Sequence, residues 1–305
     1  MPDLGILLLS HGSPAHLDDI PEFLANIRRA TPPQPIVQAV RARYEAIGGS
    51  SPLPEITRAQ AHAIEKKTGL PCLIATRMWH PSFEQVLREV SSAQSPTSLI
   101  VLSAAPFSAH VYTEALQATA LRLQSQGLPI PTLHPAPCWG NHPRYIQGWA
   151  DATVTVLDQL GIRKTARAVL VPTAHSLPLR IVQAGDPYPH LIHTAVEDFL
   201  NRLATNALPS ILAFQSQGMT EEPWLGPDLP TVFERAKATG AEGVILVPIG
   251  FPTEHVETLY DLDIEAKQIA RQQGLWLERV PCLNTAEPLI DALCDLVDQT
   301  RNRLS

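Results

Sequence analysis

Eight short apolar runs punctuate the chain, and none of them alternates with polar residues. In the first half they are "ILLLS", "CLIATRM", "SLIVLSAAP" and "PTLHPAP"; in the second, "AVLVPTAH", "SILAFQSQ", "GVILVPIGF" and "WLERVPCL". Runs that are apolar at successive positions fit parallel strands covered on both faces. Stretches with helical spacing lie between them, among them residues 82–93, 143–160 and 229–239. This alternation predicts an α/β protein whose halves are each a four-stranded, doubly wound parallel sheet flanked by helices.

The halves repeat one another in detail. Each first run ends in a histidine followed by a small residue and, soon after, a proline: His11 in "LLLSHGSP" and His175 in "VLVPTAHSLP". Each third run leads to a second histidine: His110 in "PFSAHVYT" and His255 in "GFPTEHVET". A repeat of half the chain length predicts two similar Rossmann-like domains, residues 1–148 and 149–305. Ligands of such sheets bind beyond the carboxyl ends of the strands, where all four histidines fall, so an active-site cleft between the domains is expected. The first half also carries an insertion, about residues 18–57. It reads as two short helices, a joint at Pro32, Pro33 and Pro35, and a turn at Gly48 and Gly49, forming a lip over the cleft.

The segment after the seventh run carries the densest chemistry. Glu257, Asp261 and Glu265 are spaced i, i+4, i+8, which lines three carboxylates along one helix face with Asp263 to the side. Like charges at i, i+4 cost about 0.2–0.5 kcal/mol per pair. Such a row is either a solvated face or a ladder that passes a cation inward, with Glu257 deepest. The first half has Tyr112 where Glu257 stands. His175 is either a hydrogen-bonded strand end or, paired with Glu257, a base or metal ligand. Its reference pKa of about 6.5 leaves it neutral at cellular pH. Arg28, Arg29 and Arg43 fall on the lip. There they are solvated, or they grip the carboxylates of an anionic ligand through bidentate bonds. Met78, Trp79 and Trp224 fill the core or wall a flat apolar ligand. His190 and His193, with no third ligand nearby in sequence, read as surface residues. No phosphate-binding glycine loop, H-E-x-x-H or G-x-S-x-G motif is present, which disfavours nucleotide-dependent chemistry.

Composition narrows the classes. The 305 residues include 45% hydrophobic and 17% charged side chains, enough for two proper cores. The formal net charge of −7 argues against nucleic acid as a partner. Mean hydropathy is near zero and no run of about 18 apolar residues suggests a membrane span. The first apolar run lacks a basic flank and reads as a strand, not a leader. Cys72, Cys138, Cys282 and Cys294 form no C-x-x-C pair. They read as small buried hydrophobes of a reducing cytoplasm, and no iron–sulfur cluster is expected.

Taken together, "GSP", "NIRR", "RYEAIGGSSPLPEIT", "TAHSLP", "GDPYPHLI", "QSQGMTEEPWLGPDL" and "HVETLYDLDIE" resemble the ferrochelatases over nearly the whole length. "NIRR" and "RYEAIGG" look most like the branch that uses coproporphyrin III. The resemblance implies the class II chelatase fold and insertion of Fe(II), as substrate metal, into coproporphyrin III or protoporphyrin IX, within haem biosynthesis. It implies no organic cofactor. His175 and Glu257 match the catalytic pair, and Glu257, Asp261 and Glu265 match the acidic metal path. Arg28, Arg29 and Arg43 match the propionate-facing arginines, with Ser51, Tyr44 and Trp224 as further substrate contacts. His11 stands where that branch usually has a tyrosine able to reach iron, so it is expected to contact both metal and macrocycle. The loop "PFSAHVYT", with His110, is also similar to cobalt and nickel chelatases of other tetrapyrroles.

The expected chemistry is ring distortion in the cleft, stepwise loss of water from the metal, and removal of two pyrrole protons by His175 and Glu257. Two rivals are a cobalt or nickel chelatase and a non-catalytic haem carrier using His11. The expected setting is a cytoplasmic monomer with no integral membrane segment, in transient contact with a downstream enzyme of the haem pathway.

Overall fold

The computed structural model describes residues 3–161, 165–203, 208–218 and 222–304. Met219 to Glu221, within the quoted motif "QSQGMTEEPWLGPDL", lie outside the described residues.

All eight apolar runs contain a strand. In chain order they are β1 (Leu4–Ser10), β2 (Cys72–Thr76), β3 (Ser98–Ser103), β4 (Thr132–Pro135), β5 (Ala168–His175), β6 (Ala213–Gln215), β7 (Gly243–Val247) and β8 (Trp276–Arg279). They form two parallel sheets of the same order, β2-β1-β3-β4 and β6-β5-β7-β8. The central strands are the most continuously apolar because both of their faces are covered. β3 and β7 are buried at every residue, β1 at all but Leu4, and β5 at all but His175. Register is regular: Leu8 lies between Ile74 and Leu102, and Leu170 pairs with Ile245.

In the first half, helices α1 (Ile20–Arg28), α2 (Gln34–Ala46), α3 (Leu53–Thr68), α4 (Phe83–Ala93) and α5 (Ala109–Ser125) flank the sheet. α4 starts where a capping box predicts it. Ser82 Oγ accepts the Gln85 N–H, and Gln85 Oε1 accepts the Ser82 N–H. Its apolar face joins α5 and the sheet in a core of Leu7, Leu9, Leu87, Val101 and Leu116. The insertion holds α1 and α2, joined through the proline-rich stretch, with Gly48 and Gly49 at φ of 101° and 97°.

In the second half, α6 (Pro143–Leu160), α7 (Leu179–Gln183), α8 (Tyr188–Leu203), α9 (Leu229–Ala238) and α10 (Lys267–Gln272) surround the sheet. A π-helix, Glu257–Ala266, precedes α10 without a break. Its Leu262 and Ala266 are fully buried with Val171, Phe233, Val244 and Leu246. Burying a leucine side chain of this kind contributes about 1.5–3 kcal/mol.

The compact units divide differently from the expected boundary at residue 148. One comprises Met1–Glu45, Gly49–Trp139 and Asn284–Ser305; the other, Ala46–Gly48 and Gly140–Leu283. The last helix, α11 (Glu287–Asn302), packs on α3 and β3. Gln60 Nε2 donates to the Asn284 carbonyl at 2.6 Å, and Lys67 Nζ meets Asp291. An amphipathic helix joins whichever apolar face is open to it, and sequence adjacency does not settle that choice.

Candidate active site

β5 delivers His175 to its carboxyl end, and the loop after β7 delivers Glu257. Two close approaches make this possible. The Ser176 N–H donates to the Gln215 carbonyl, which ties the residue after His175 to β6. Gly250 packs against β5 so tightly that an added Cβ would stand 2.7 Å from Ala174 Cα. Tyr188 Oη donates to the His175 carbonyl at 3.0 Å and fixes the backbone from the other side.

His175 Nε2 lies 3.5 Å from Glu257 Oε1, and the two side chains are 35% and 34% exposed. His175 Nδ1 donates to the Ser176 carbonyl. Both ring nitrogens therefore face oxygen acceptors. Burial opposes charge on the ring, but Glu257, the Ser176 carbonyl and Asp261 outweigh it and raise the His175 pKa to about 9. The carboxylate beside it thus favours the protonated ring, where the reference pKa alone would leave it neutral. His255 behaves oppositely. Its Nδ1 accepts the Glu257 N–H at 3.2 Å, and its pKa is lowered, by burial first and then by His175 and Arg279. Two histidines flanking one glutamate are pushed apart in pKa, the pattern expected of an acid–base site.

The acidic row is present but differently ordered from its expected form. Asp261, only 4% exposed, is the most buried of the three, not Glu257, and Glu265 is exposed. Ser216 Oγ donates to Asp261 Oδ2 at 2.5 Å, which draws that side chain inward. Asp263 turns away to Arg279, which also meets Glu254. Among the described residues, no three His, Cys, Asp or Glu side chains form a ready-made metal cage.

The first unit repeats this plan at lower charge. His11, at the carboxyl end of β1, reaches Tyr112 Oη at 3.2 Å from Nδ1, as His175 reaches Glu257. Gly12 follows at φ 86°, where a Cβ would stand 2.8 Å from Trp79. His11 packs edge-on against Phe23, and the Arg77 guanidinium lies over the Tyr112 ring, 5.4 Å from its centroid. His110 Nδ1 lies 3.6 Å from Cys138 Sγ.

The lip residues separate into two groups. Arg28 and Arg29 are exposed at the end of α1, and Arg43 is half-buried on α2. Arg29 sits at φ 53°, a left-handed position that costs a non-glycine residue about 1–2 kcal/mol. Tyr44 and Ser51 are buried instead. Tyr44 is 3% exposed, with its hydroxyl 3.0 Å from Ser13 Oγ, and Ser51 Oγ accepts the Leu53 N–H that opens α3. These two support the loops around them and are not presented as open surface. Trp224 is half-buried, packed on Gly218 and bridged to Pro178. Cys282 is buried; burial raises the thiols of Cys72, to about 12, and Cys294, to about 11, which keeps them protonated and unreactive.

No site role is read from the sequence for Arg77, Tyr188, Gln215, Ser216, Glu254 or Arg279, although Tyr188, Gln215 and Ser216 lie in the quoted motifs "GDPYPHLI" and "QSQGMTEEPWLGPDL". Gln215 and Arg279 close β6 and β8, so the rule that ligands meet strand carboxyl ends offered a way to find them.

A family model described as ferrochelatase matches residues 3–301. The coproporphyrin III ferrochelatase of Geobacillus kaustophilus (strain HTA426) is 34% identical, covering 96% of this chain and 94% of its own. The chain belongs to the ferrochelatase family. It is a metal chelatase, a lyase of haem biosynthesis. Coproporphyrin III ferrochelatase 1 of Bacillus cereus (strain ATCC 10987 / NRS 248) is 32% identical, covering 96% of both chains. Among solved structures, the sirohydrochlorin chelatase SirB from Bacillus subtilis subspecies spizizenii, in complex with cobalt, aligns with a TM-score of 0.57 at 12% identity. It covers 99% of this chain and 96% of its own. DR2241 from Deinococcus radiodurans aligns with a TM-score of 0.57 at 15% identity, over 99% of this chain and 56% of its own. These two share the chelatase fold. The expected pair of four-stranded Rossmann-like sheets is borne out, and no helix among the described residues is long and apolar enough to cross a membrane.

Proposed function

We propose that this ferrochelatase inserts Fe(II) into coproporphyrin III to give coproheme, with His175 and Glu257 as the reacting pair. The observation that carries the reading is the contact itself: an imidazole 3.5 Å from a half-exposed carboxylate at the carboxyl end of a parallel sheet. The curated relatives, named for coproporphyrin III, support the substrate.

Insertion of a dication releases two pyrrole protons. A cation arriving at Glu257 competes with the His175 proton for the same lone pairs. It lowers the His175 pKa, so the imidazolium gives its extra proton to solvent and the neutral ring can then accept a pyrrole proton, while Glu257 holds the metal or takes the other. Glu265 and Asp261 offer hard oxygen donors from the surface inward, so that water is exchanged for carboxylate in steps. Arg28, Arg29 and Arg43 would grip the substrate carboxylates, and Arg29's strained backbone supports a functional role there. Trp224 would lie against the macrocycle, and His11 would contact the metal or the ring from the first unit. Tyr44 and Ser51 would act by shaping the loops that bear the arginines. No organic cofactor is needed for this chemistry.

The deciding experiment is insertion of Fe(II) by purified protein into coproporphyrin III beside protoporphyrin IX, with Co(II) and Ni(II) offered in parallel. Faster turnover of Fe(II) with coproporphyrin III is expected. His175→Ala should abolish insertion yet still quench porphyrin fluorescence on binding. Undiminished turnover by that variant would refute the assignment.

A further inference from the structure

The π-helix that carries Glu257 and Asp261 needs an account of what holds it. Helices with i→i+5 bonding are rare and occur mostly as single-turn bulges, whereas this one runs for 10 residues. No proline or glycine interrupts it. The constraints come from neighbouring strands.

On one side stands Arg279, the last residue of β8, with a side chain only 9% exposed. Its Nε and Nη2 fork onto the two oxygens of Asp263 at 2.9 and 2.7 Å. Its Nη1 reaches Glu254 Oε1 at 2.8 Å. Glu254 also accepts the Thr258 hydroxyl at 2.6 Å and the Cys282 N–H at 3.0 Å. One guanidinium thus joins residue 254, ahead of the helix, to residue 263, within it. Glu257 lies between the two anchored points. On the other side stand Gln215 and Ser216, at the end of β6. Gln215 Nε2 donates to the Glu257 carbonyl at 3.3 Å. Ser216, held at φ 59°, donates to Asp261.

We infer that Arg279 is a positioning residue: by bridging Glu254 and Asp263 it holds the acidic π-helix in the form that presents Glu257 to His175. The inference rests on the insertion chemistry proposed above. Buried ion networks are weak contributors to net stability, and their best-attested use is to fix register. Arginine is suited to this task and lysine is not, because only the planar fork meets both oxygens of one carboxylate while a third nitrogen meets another.

The test uses the full chain with Arg279→Lys, Asp263→Asn and the double variant, assayed with Fe(II) and coproporphyrin III. Each single variant should lose about 10–100-fold in kcat/KM for the metal, with porphyrin Kd by fluorescence titration changed less than about 2-fold. The double variant should be no worse than the poorer single one, because the two residues act through one contact. Amide exchange across 257–266 should accelerate in all three. Metal kcat/KM near the unaltered value, losses that multiply, or unchanged exchange would each overturn the inference. Asp263 is partly exposed, so Asp263→Asn carries the test should Arg279→Lys fold poorly. If the unaltered protein inserts no metal, the functional reading fails, and the exchange measurement alone then judges the clamp.

Discussion

His175 and His255 have the same intrinsic chemistry and pKa values pushed in opposite directions, and Glu257 stands between the two outcomes. Its carboxylate faces the His175 ring, whereas it is the Glu257 backbone N–H that donates to His255. Replacing Glu257 with Gln should therefore drop the His175 pKa from about 9 toward its ordinary value of about 6.5. Titration of the ring signals by NMR checks this; a His175 that still titrates near 9 in that variant would show that another group holds the proton. The same shift bears on stability. A raised histidine pKa stabilises the fold fully below about 6.5, and the contribution is lost as pH rises through about 9. Urea unfolding at pH 6 and pH 9.5 should show that difference in the unaltered protein and a smaller one in Glu257→Gln. Arg29 offers a second test. Glycine at its left-handed position should raise unfolding free energy by about 1 kcal/mol while weakening porphyrin binding. A variant that binds porphyrin as before would remove Arg29 from the substrate contacts. The position of His175 at a strand end was legible in sequence, and so was the acidic segment that begins at Glu257. Their charge states were not, because a pKa depends on which groups fold brings within a few ångströms.

At the scale of elements, helices with local signals fall where periodicity puts them. Residues 82–93 become Phe83–Ala93 behind the Ser82 cap, and 143–160 becomes Pro143–Leu160. The insertion matches its expected outline of two helices, a proline joint and a double-glycine turn. The segment Glu257–Ala266 departs from this. Its acids are spaced as on an ordinary helix, yet its turns are widened. Nothing local requires that. The segment is instead held by Gln215, Ser216 and Arg279, which lie 42 residues before Glu257, 45 before Asp261 and 16 after Asp263. Its anchor in the core is Leu262, fully buried against the sheet. Leu262→Ala should cost about 2–5 kcal/mol in urea unfolding, since a cavity adds to the lost transfer energy. A cost near zero would mean that the helix is held by its polar contacts alone.

For the molecule as a whole, charge and substrate pull in different directions. The chain carries a net charge of −7, yet its proposed substrate is a polycarboxylate. On the proposed reading the local arginines of α1 and α2 carry the binding, and salt screens such contacts. Raising ionic strength should weaken coproporphyrin III binding more than protoporphyrin IX binding, because more carboxylates are being gripped. Equal salt dependence of the two, measured by fluorescence titration, would argue that the lip arginines do not read carboxylate number.

The alternation of apolar runs and amphipathic stretches was enough to specify two four-stranded parallel sheets, because a strand covered on both faces must be apolar throughout. The histidines after the first run of each half were enough to place His11 and His175 at the carboxyl ends of β1 and β5, because parallel strands collect those ends on one edge. Only the tertiary structure decided that the last helix packs on β3, that Asp261 lies deeper than Glu257, and that Arg279 clamps the helix bearing both. Those are outcomes of which distant groups meet, and spacing along a chain records only the neighbours within a turn or two.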